Sequence, residues 1–261
     1  NPLGKVMEYP VTLTVKGGDL TIDFEGAPPQ LPQGGLNSTL NYTAAHATYP
    51  LKCMLTPGVR GNAGCYRPFT VKAPEGSILN CTKPVAVNLR TRTGWYIAPN
   101  IFKALADAAP KQVQAFTGLP VATNVYGQDE TGRTYSDLLF CGGGQGASAN
   151  GDGKSGLLWP TSAANTPIEM FEARAPVLVL EKAYIPDSGG PGRHRGGLGQ
   201  RVRLRRLKND ARVGLSGGRA QSDARVVRRS CRCGSEGNRA GCRRRPDQGL
   251  RDGRTRDAQR Q

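Results

Sequence analysis

The chain has 261 residues, of which 37% are hydrophobic and 6% aromatic, and its formal net charge is +16. This length is enough for one large domain or two small ones. The longest aliphatic run, residues 176–180, is too short to cross a bilayer, and no basic and apolar leader opens the sequence. These features exclude a helical membrane protein and predict a soluble, cytoplasmic one.

The composition changes near residue 208. Residues 209–261 contain 14 arginines, 6 acidic residues and no aromatic residue. Such a segment has too little apolar surface to offset the entropy of ordering its backbone. We therefore predict a globular part, residues 1–208, followed by a disordered tail, residues 209–261. The tail would bind phosphate backbones non-specifically at low salt, which does not indicate a specific nucleic-acid partner.

Seven cysteines and two histidines restrict the metal sites that the chain can build. His46 and His194 are too few for a histidine-rich site. The three thiols of the tail, at positions 231, 233 and 242, lack the spacing of a zinc site. The remaining cysteines have small or apolar neighbours and are predicted to be buried, reduced thiols: Cys53, Cys65, Cys81 and Cys141.

The first half of the chain predicts a hairpin, two helices and a strand. Residues 11–24 alternate apolar and polar side chains around a glycine-rich turn, which is typical of a β-hairpin. Residues 37–55 carry apolar residues at helical spacing, and Pro50 predicts a kink within this helix. A strand is predicted at 67–71, and a helix at 95–109 that stops at Pro110.

Three strands and two glycine-rich loops are predicted in the second half. Residues 135–140 form a strand that enters the glycine run at 142–146, and residues 177–185 form a strand before the loop 187–199. Residues 202–207 alternate arginine with aliphatic residues, as expected of a half-exposed strand. Because strands and helices do not alternate regularly, the predicted class is α+β, with mixed sheets, a few helices and long glycine-rich loops.

Three motifs have a functional and a structural interpretation. Gly153-Lys154-Ser155 lacks the preceding glycine of a nucleotide-binding loop and has no room for the following helix, so that interpretation is rejected. In residues 165–172, Glu169 either forms a capping box with Thr166 or pairs with Glu172 as a metal or acid–base site. In the loop 187–199, Arg193 and Arg195 either bind an anion or pair with local acids such as Asp187 in a wide turn.

Several segments, in this order and spacing, resemble the hydantoinase B family, which includes the corresponding region of 5-oxoprolinases and of acetone carboxylase-type subunits. The resemblance covers roughly residues 8–208 and rests on short matching segments: 23–26, 34–37, 62–64, 67–68, 73–80, 142–146, 152–153, 165–169 and 187–197. We expect residues 23–199 to form one scaffold whose glycine-lined loops converge on a shared pocket.

The resemblance implies a function in a heteromeric complex. Members of this family act with a hydantoinase A-type subunit that handles ATP. They open small cyclic amides such as N-methylhydantoin or 5-oxoproline, and relatives carboxylate ketones. A divalent metal is expected in a preceding half of the subunit that this chain lacks, which predicts that the chain is a fragment without activity alone and has no metal site of its own.

Candidate site residues follow from side-chain chemistry within the matching segments. Asp152, Glu169 and Glu172 are the candidate catalytic acids. The candidate substrate-binding residues carry amide, carboxylate or guanidinium groups: Asn37, Asn62, Asp187, Arg193 and Arg195.

Two other hypotheses belong to different classes. The arginine-rich end favours a basic nucleic-acid-associated protein, although it has no aromatic residues for base stacking. A non-catalytic remnant is the third hypothesis. The tail itself has the composition of a GC-rich coding sequence read in the wrong frame, so a frameshifted or aberrant end is predicted after about residue 210.

Overall fold

A computed structural model of the chain describes residues 6–128, 131–160, 163–207, 212–216 and 225–227. The fold is α+β, as predicted. Within these residues there are four helices, α1 to α4: Leu40–Leu55, Ala63–Tyr66, Arg90–Ala104 and Ile168–Arg174. The strands, β1 to β9, are Thr12–Lys16, Asp19–Asp23, Phe69–Lys72, Val121–Gln128, Thr134–Cys141, Val177–Tyr184, Gln200–Arg206, Arg212–Ser216 and Arg225–Val227.

The first sheet has the order β1-β2-β3 and packs under two helices. β1 and β2 form the predicted hairpin, with Gly17 at φ +60° in its turn, and β2 pairs in parallel with β3. Ile22 and Phe24 alternate with polar residues and are fully buried. They join side chains of α1 and α3 in one core because both helices turn an apolar face to this sheet.

Helices α1 and α3 approach closely at Gly94. A Cβ atom there would lie 2.7 Å from the Tyr42 ring and 2.9 Å from Nε2 of His46, so any larger residue would displace these two rings. Pro50 lies within α1, which continues to Leu55. The helix predicted at 95–109 begins five residues earlier and ends at Ala104, after which residues 105–112 form turns.

A second core lies in the other half of the chain. β4, which was not predicted, pairs antiparallel with β5, and β6 pairs antiparallel with β7. Phe171 of α4 is fully buried between these pairs, together with Leu139 and Val177. β7 buries Val202 and Leu204, whereas the intervening Arg203 shares the carboxylate of Glu181 with Arg201, at 3.3 and 2.8 Å.

The strands β8 and β9 lie beyond the predicted boundary at residue 208. β8 pairs antiparallel with β4, and β9 pairs antiparallel with β7. These two segments therefore belong to the sheets, although the composition of residues 209–261 had predicted disorder. The other tail residues, including Cys231, Cys233 and Cys242, lie outside the described residues.

The cysteines of the globular part differ from one another in exposure. Cys141 is buried, as predicted. The prediction was wrong for Cys53, which is exposed, and for Cys65 and Cys81, which are half-buried. Small or apolar sequence neighbours do not determine burial when a residue lies on the outer face of a helix, as Cys53 does on α1. Within the described residues, no helix is long and apolar enough to span a membrane.

The contact between α1 and α3 predicts a pH-dependent contribution to stability. Burial lowers the pKa of His46 below its ordinary value. The unfolded chain therefore takes up a proton below about pH 6.5 that the folded chain takes up only at lower pH, so the free energy of unfolding falls as the pH decreases from 6.5. In His46→Gln, this free energy should depend less on pH between about 6.5 and 5.5. Urea unfolding followed by circular dichroism measures the slope.

His194→Gln is the matched control, because it removes the other histidine of the chain and leaves the helix contact unchanged. Equal slopes in the parent chain and in His46→Gln would contradict the role assigned to His46.

Candidate functional site

Glycine-rich segments from distant parts of the sequence lie side by side. We call residues 115–118, 142–147, 152–157 and 189–199 the glycine layer. Ala115 N–H donates to Ala147 O and Gly118 N–H to Gly144 O, both at 2.8 Å, so successive bonds are three residues apart on each segment. On the opposite side, Gln145 N–H donates to Lys154 O at 3.0 Å, and Gln145 O accepts from Gly197 N–H at 2.8 Å. Segment 142–147 is therefore the central one.

The layer depends on the absence of side chains. A Cβ atom on Gly144 would lie 1.8 Å from Gly197 O, and one on Gly146 would lie 1.9 Å from Ala115 O. A Cβ atom on Gly153 would lie 1.9 Å from Gln145 O. In each case the obstacle is backbone held by its own hydrogen bonds, which cannot move aside cheaply. The glycines therefore set the spacing between the segments.

The predicted pocket at the meeting point of these loops is nearly filled. The cavity there is about 20 Å³ and is lined by Phe116, Gln145, Ser188 and His194. This is room for one water molecule and not for a ring substrate. The loops 142–146, 152–153 and 187–197 do converge, as expected. The loop 34–37 lies elsewhere, where Gly35 O accepts from Leu89 N–H at 2.7 Å.

One edge of the glycine layer carries five charged or titratable side chains, which we call the anion edge: Asp152, Asp187, Arg193, His194 and Arg195. Asp152 Oδ1 accepts from Arg195 N–H at 2.8 Å and lies 3.4 Å from His194 Nδ1. The Arg195 guanidinium lies 3.7 Å from Asp187. Three candidate residues and His194 are thus brought together, and Asp152 fixes the backbone that presents the arginines.

The two arginines of the anion edge differ. The ion pair of Arg195 is mostly exposed, with 70% and 86% exposed side chains, so it contributes little and leaves the guanidinium accessible. Arg193 is exposed, and within the described residues its guanidinium makes no hydrogen bond or ion pair. Asp187 has φ +54°, a conformation that non-glycine residues rarely adopt and that is common at binding loops.

The glutamates of α4 do not join the anion edge. Pro167 is the N-cap, the helix begins at Ile168, and no side-chain cap bond forms, so the predicted capping box with Thr166 is wrong. Glu169 is exposed in the first turn. Glu172 is half-buried and accepts the Val179 N–H at 2.5 Å, which ties α4 to β6. The structure thus gives Glu172 a positioning role at the second core.

The two asparagine candidates hold backbone. Asn37 is fully buried; its Oδ1 accepts from Leu31 N–H at 2.7 Å, and its Nδ2 donates to Leu31 O and Ala86 O at 2.8 and 3.1 Å. Asn62 is the exposed N-cap of α2 and accepts the Cys65 N–H at 3.3 Å. In this structure both act as local tethers, and neither lies at the anion edge.

Three polar residues in or beside the layer were not among the candidate site residues predicted from the sequence. Ser188 is buried, accepts from Gly199 N–H at 2.8 Å and donates to Ile185 O at 2.6 Å. The side chain of Gln145 donates to Gln114 Oε1 at 2.9 Å. His194 lines the small cavity. Small or amide side chains within glycine runs are the signal that could have identified the first two.

The described residues do not fit a metal ion or a nucleotide phosphate. No group of three or more histidine, cysteine, aspartate or glutamate side chains within them could hold a metal ion. Residues 153–155 lead into turns and not into the helix that a nucleotide-binding loop requires.

Comparison with known proteins gives one family and several relatives. The family model described as hydantoinase B/oxoprolinase matches residues 3–260. The 5-oxoprolinase PfmaA of Pestalotiopsis fici is 31% identical over 83% of this chain and 18% of its own length. The caprolactamase subunit beta of Pseudomonas jessenii is 30% identical over 75% of this chain and 35% of its own length. The chain thus spans about a third or less of these curated relatives.

Two solved structures share the fold. The ATP-dependent caprolactamase from Pseudomonas jessenii superposes with a TM-score of 0.65 at 21% identity, over 86% of this chain and 47% of that chain. The nucleotide-free acetone carboxylase superposes with a TM-score of 0.66 at 20% identity, over 79% of this chain and 29% of that chain.

The glycine layer predicts that alanine destabilises the fold much more at Gly144 than at Gly151, seven residues further along the chain. Gly144→Ala should lower the free energy of unfolding by about 1–3 kcal/mol or more, because its methyl group meets backbone. Gly151→Ala is the control: it has open space around it, so the change should stay within about 0.5 kcal/mol. Urea denaturation measures both. Equal stability of the two variants would show that the layer does not require glycine.

The different burial of the two asparagines predicts that alanine costs more folding free energy at Asn37 than at Asn62. Asn37→Ala leaves two buried backbone groups of Leu31 without their partner, which should cost about 2–3 kcal/mol of folding free energy. Asn62→Ala removes an exposed cap and should cost about 0.5–1 kcal/mol. Thermal unfolding of both variants tests the assignment, and a larger loss for Asn62→Ala would reverse it.

Proposed function

Because the chain belongs to the hydantoinase B/oxoprolinase family, we propose that it is the C-terminal part of the B-type subunit of an ATP-dependent hydrolase of cyclic amides. The relatives named 5-oxoprolinase and caprolactamase support a ring amide as the substrate class. The proposed substrate is a small ring of the N-methylhydantoin or 5-oxoproline type.

The chemistry requires activation of an amide that resists water. In the proposed reaction, a hydantoinase A-type partner uses ATP to phosphorylate the carbonyl oxygen of the ring. Phosphoryl transfer releases ADP. Water then adds to the activated carbon, and the ring C–N bond breaks to give the free amino group and an acyl phosphate. A second water hydrolyses the acyl phosphate, which yields the ring-opened acid and phosphate. Charge on the phosphoryl group and on the developing carboxylate makes an anion-binding surface useful beside this step.

The anion edge is the observation that carries this proposal. Asp152 holds the backbone of Arg195, and the two arginines project from a layer that hydrogen bonds and close contacts keep rigid. A guanidinium forks onto the oxygens of a carboxylate or phosphoryl group with two parallel hydrogen bonds. We assign Arg193 and Arg195 to binding of the anionic intermediate or product, and Asp152 to positioning.

The divalent metal and ATP are assigned outside this chain. No group of side chains within the described residues could hold a metal ion, and residues 153–155 do not lead into the helix of a nucleotide-binding loop. The curated relatives are also considerably longer than this chain. We therefore propose that the metal is held by the portion of the subunit that precedes this one, and ATP by the partner. The 261-residue chain alone should accordingly be inactive.

The test uses the full-length subunit with its partner subunit, ATP and a divalent cation. Arg193→Ala should lower kcat/KM for the ring amide about ten- to a hundredfold, because a charge-assisted hydrogen bond contributes about 1.5–3 kcal/mol. The rates of release of the ring-opened acid and of ADP are measured in the same reaction. Arg60→Ala, which removes an exposed arginine of another loop, is the matched control and should leave both rates unchanged.

Three outcomes decide between the hypotheses. Unchanged kinetics and assembly in Arg193→Ala would favour the interpretation of the loop as a turn only. ATP consumption that requires a ketone and bicarbonate, and not a ring amide, would indicate a carboxylase of the acetone carboxylase type. Turnover by the 261-residue chain without a partner would overturn the assignment of ATP to a second subunit.

A further inference from the structure

A second cavity lies outside the glycine layer. It is about 260 Å³ and is formed between the first turns of α3 and the strands β4 and β5. Its walls are largely apolar, with Trp95 on the helix side and Leu138 and Phe140 on the strand side. Arg92 and Asn124 add polar groups to the lining. A volume of this size accepts a small molecule of one ring or a short chain.

Two hydrogen-bond donors at this cavity lack acceptors. The Trp95 Nε1–H and the Arg92 Nε–H are both buried, and neither has a hydrogen-bond partner among the described residues. The Trp95 side chain is only 3% exposed, so water does not reach it from outside. Buried donors in folded proteins are almost always paired. These two nitrogen atoms have almost no accessible surface, so what Arg92 offers to the cavity is its positive charge, and what Trp95 offers is its apolar ring.

The positive charge of Arg92 restricts the chemical class of ligand that suits the cavity. Arg92 is always ionised and makes no ion pair within the described part of the chain, so an anionic acceptor would neutralise it. The cavity also opens at the first turn of α3, where the helix dipole is positive. Apolar walls and a single guanidinium favour one negative charge on an otherwise apolar ligand over a multiply charged, strongly hydrated anion.

We propose that the cavity binds a small monocarboxylic acid with an apolar body. The carboxylate pairs with the Arg92 guanidinium, and the apolar body packs against Trp95, Leu138 and Phe140. Asn124, which is exposed at the rim, interacts with any polar group that the ligand directs outward. This site stands on the cavity alone and does not depend on the amide reaction proposed above.

The chain offers an internal fluorescent probe for this site. It contains two tryptophans, so Trp159→Phe leaves Trp95 as the single one, and phenylalanine retains an aromatic ring to stack on Phe102. Benzoate and cyclohexanecarboxylate should each produce a saturable change in Trp95 emission. Benzyl alcohol lacks the charge and inorganic phosphate lacks the apolar body, so both should bind at least about tenfold more weakly.

Variants on α3 locate the site. Arg92→Gln in the same background should weaken benzoate binding about tenfold or more, whereas Lys103→Gln, at the far end of the same helix, should leave it unchanged. Circular dichroism establishes that each variant is folded.

The comparison of ligands in Trp159→Phe tests the proposal even without the variants on α3. Absence of a saturable response to either acid, equal binding of benzyl alcohol, or tighter binding of phosphate would each overturn the proposal.

Discussion

Contact of backbone on backbone in the glycine layer is the constraint on which the site depends. Segment 142–147 has neighbours on both sides, and a methyl group on Gly144 or Gly146 would fall within 2 Å of a carbonyl oxygen. Hydrogen bonds between the segments satisfy their polar groups without a regular sheet. The anion edge therefore projects from a support with few alternative conformations, and a positioned charge is worth most when the surrounding structure does not have to rearrange.

This constraint also explains why the convergence of loops does not create a pocket. Glycine segments approach so closely that they exclude everything except a water-sized space. Two larger cavities lie beside α3: about 260 Å³ against β4 and β5, and about 500 Å³ beside Phe102 and Gln114. Binding of molecules larger than water is thus expected outside the layer, which contributes Ala115, Phe116 and Ala147 to the wall of the larger cavity.

The sequence predicted the elements whose signal is local, and it missed what depends on distant partners. The hairpin β1–β2 and the strand β7 follow from alternation of apolar and polar residues. β4 escaped prediction because Val121–Gln128 has no such pattern and is defined by pairing with β5 and β8. The loop candidates Asp152, Asp187 and Arg195 do meet. Asn37 and Glu172 were chosen for their chemistry, but burial and a backbone partner determine what each side chain contacts.

The anion edge and the cavity at α3 differ in how their arginines are paired with acidic residues. At the anion edge, Asp187 partly neutralises Arg195, whereas Arg193 makes no ion pair within the described residues, and both side chains are accessible to water. A ligand there exchanges one weak exposed ion pair for another, which suits a transient intermediate that must leave. At the α3 cavity, Arg92 has no acidic partner among the described residues and Trp95 is dry. An anion in that cavity pairs with a half-buried guanidinium for which no carboxylate of the described residues competes, which suits a ligand that stays bound.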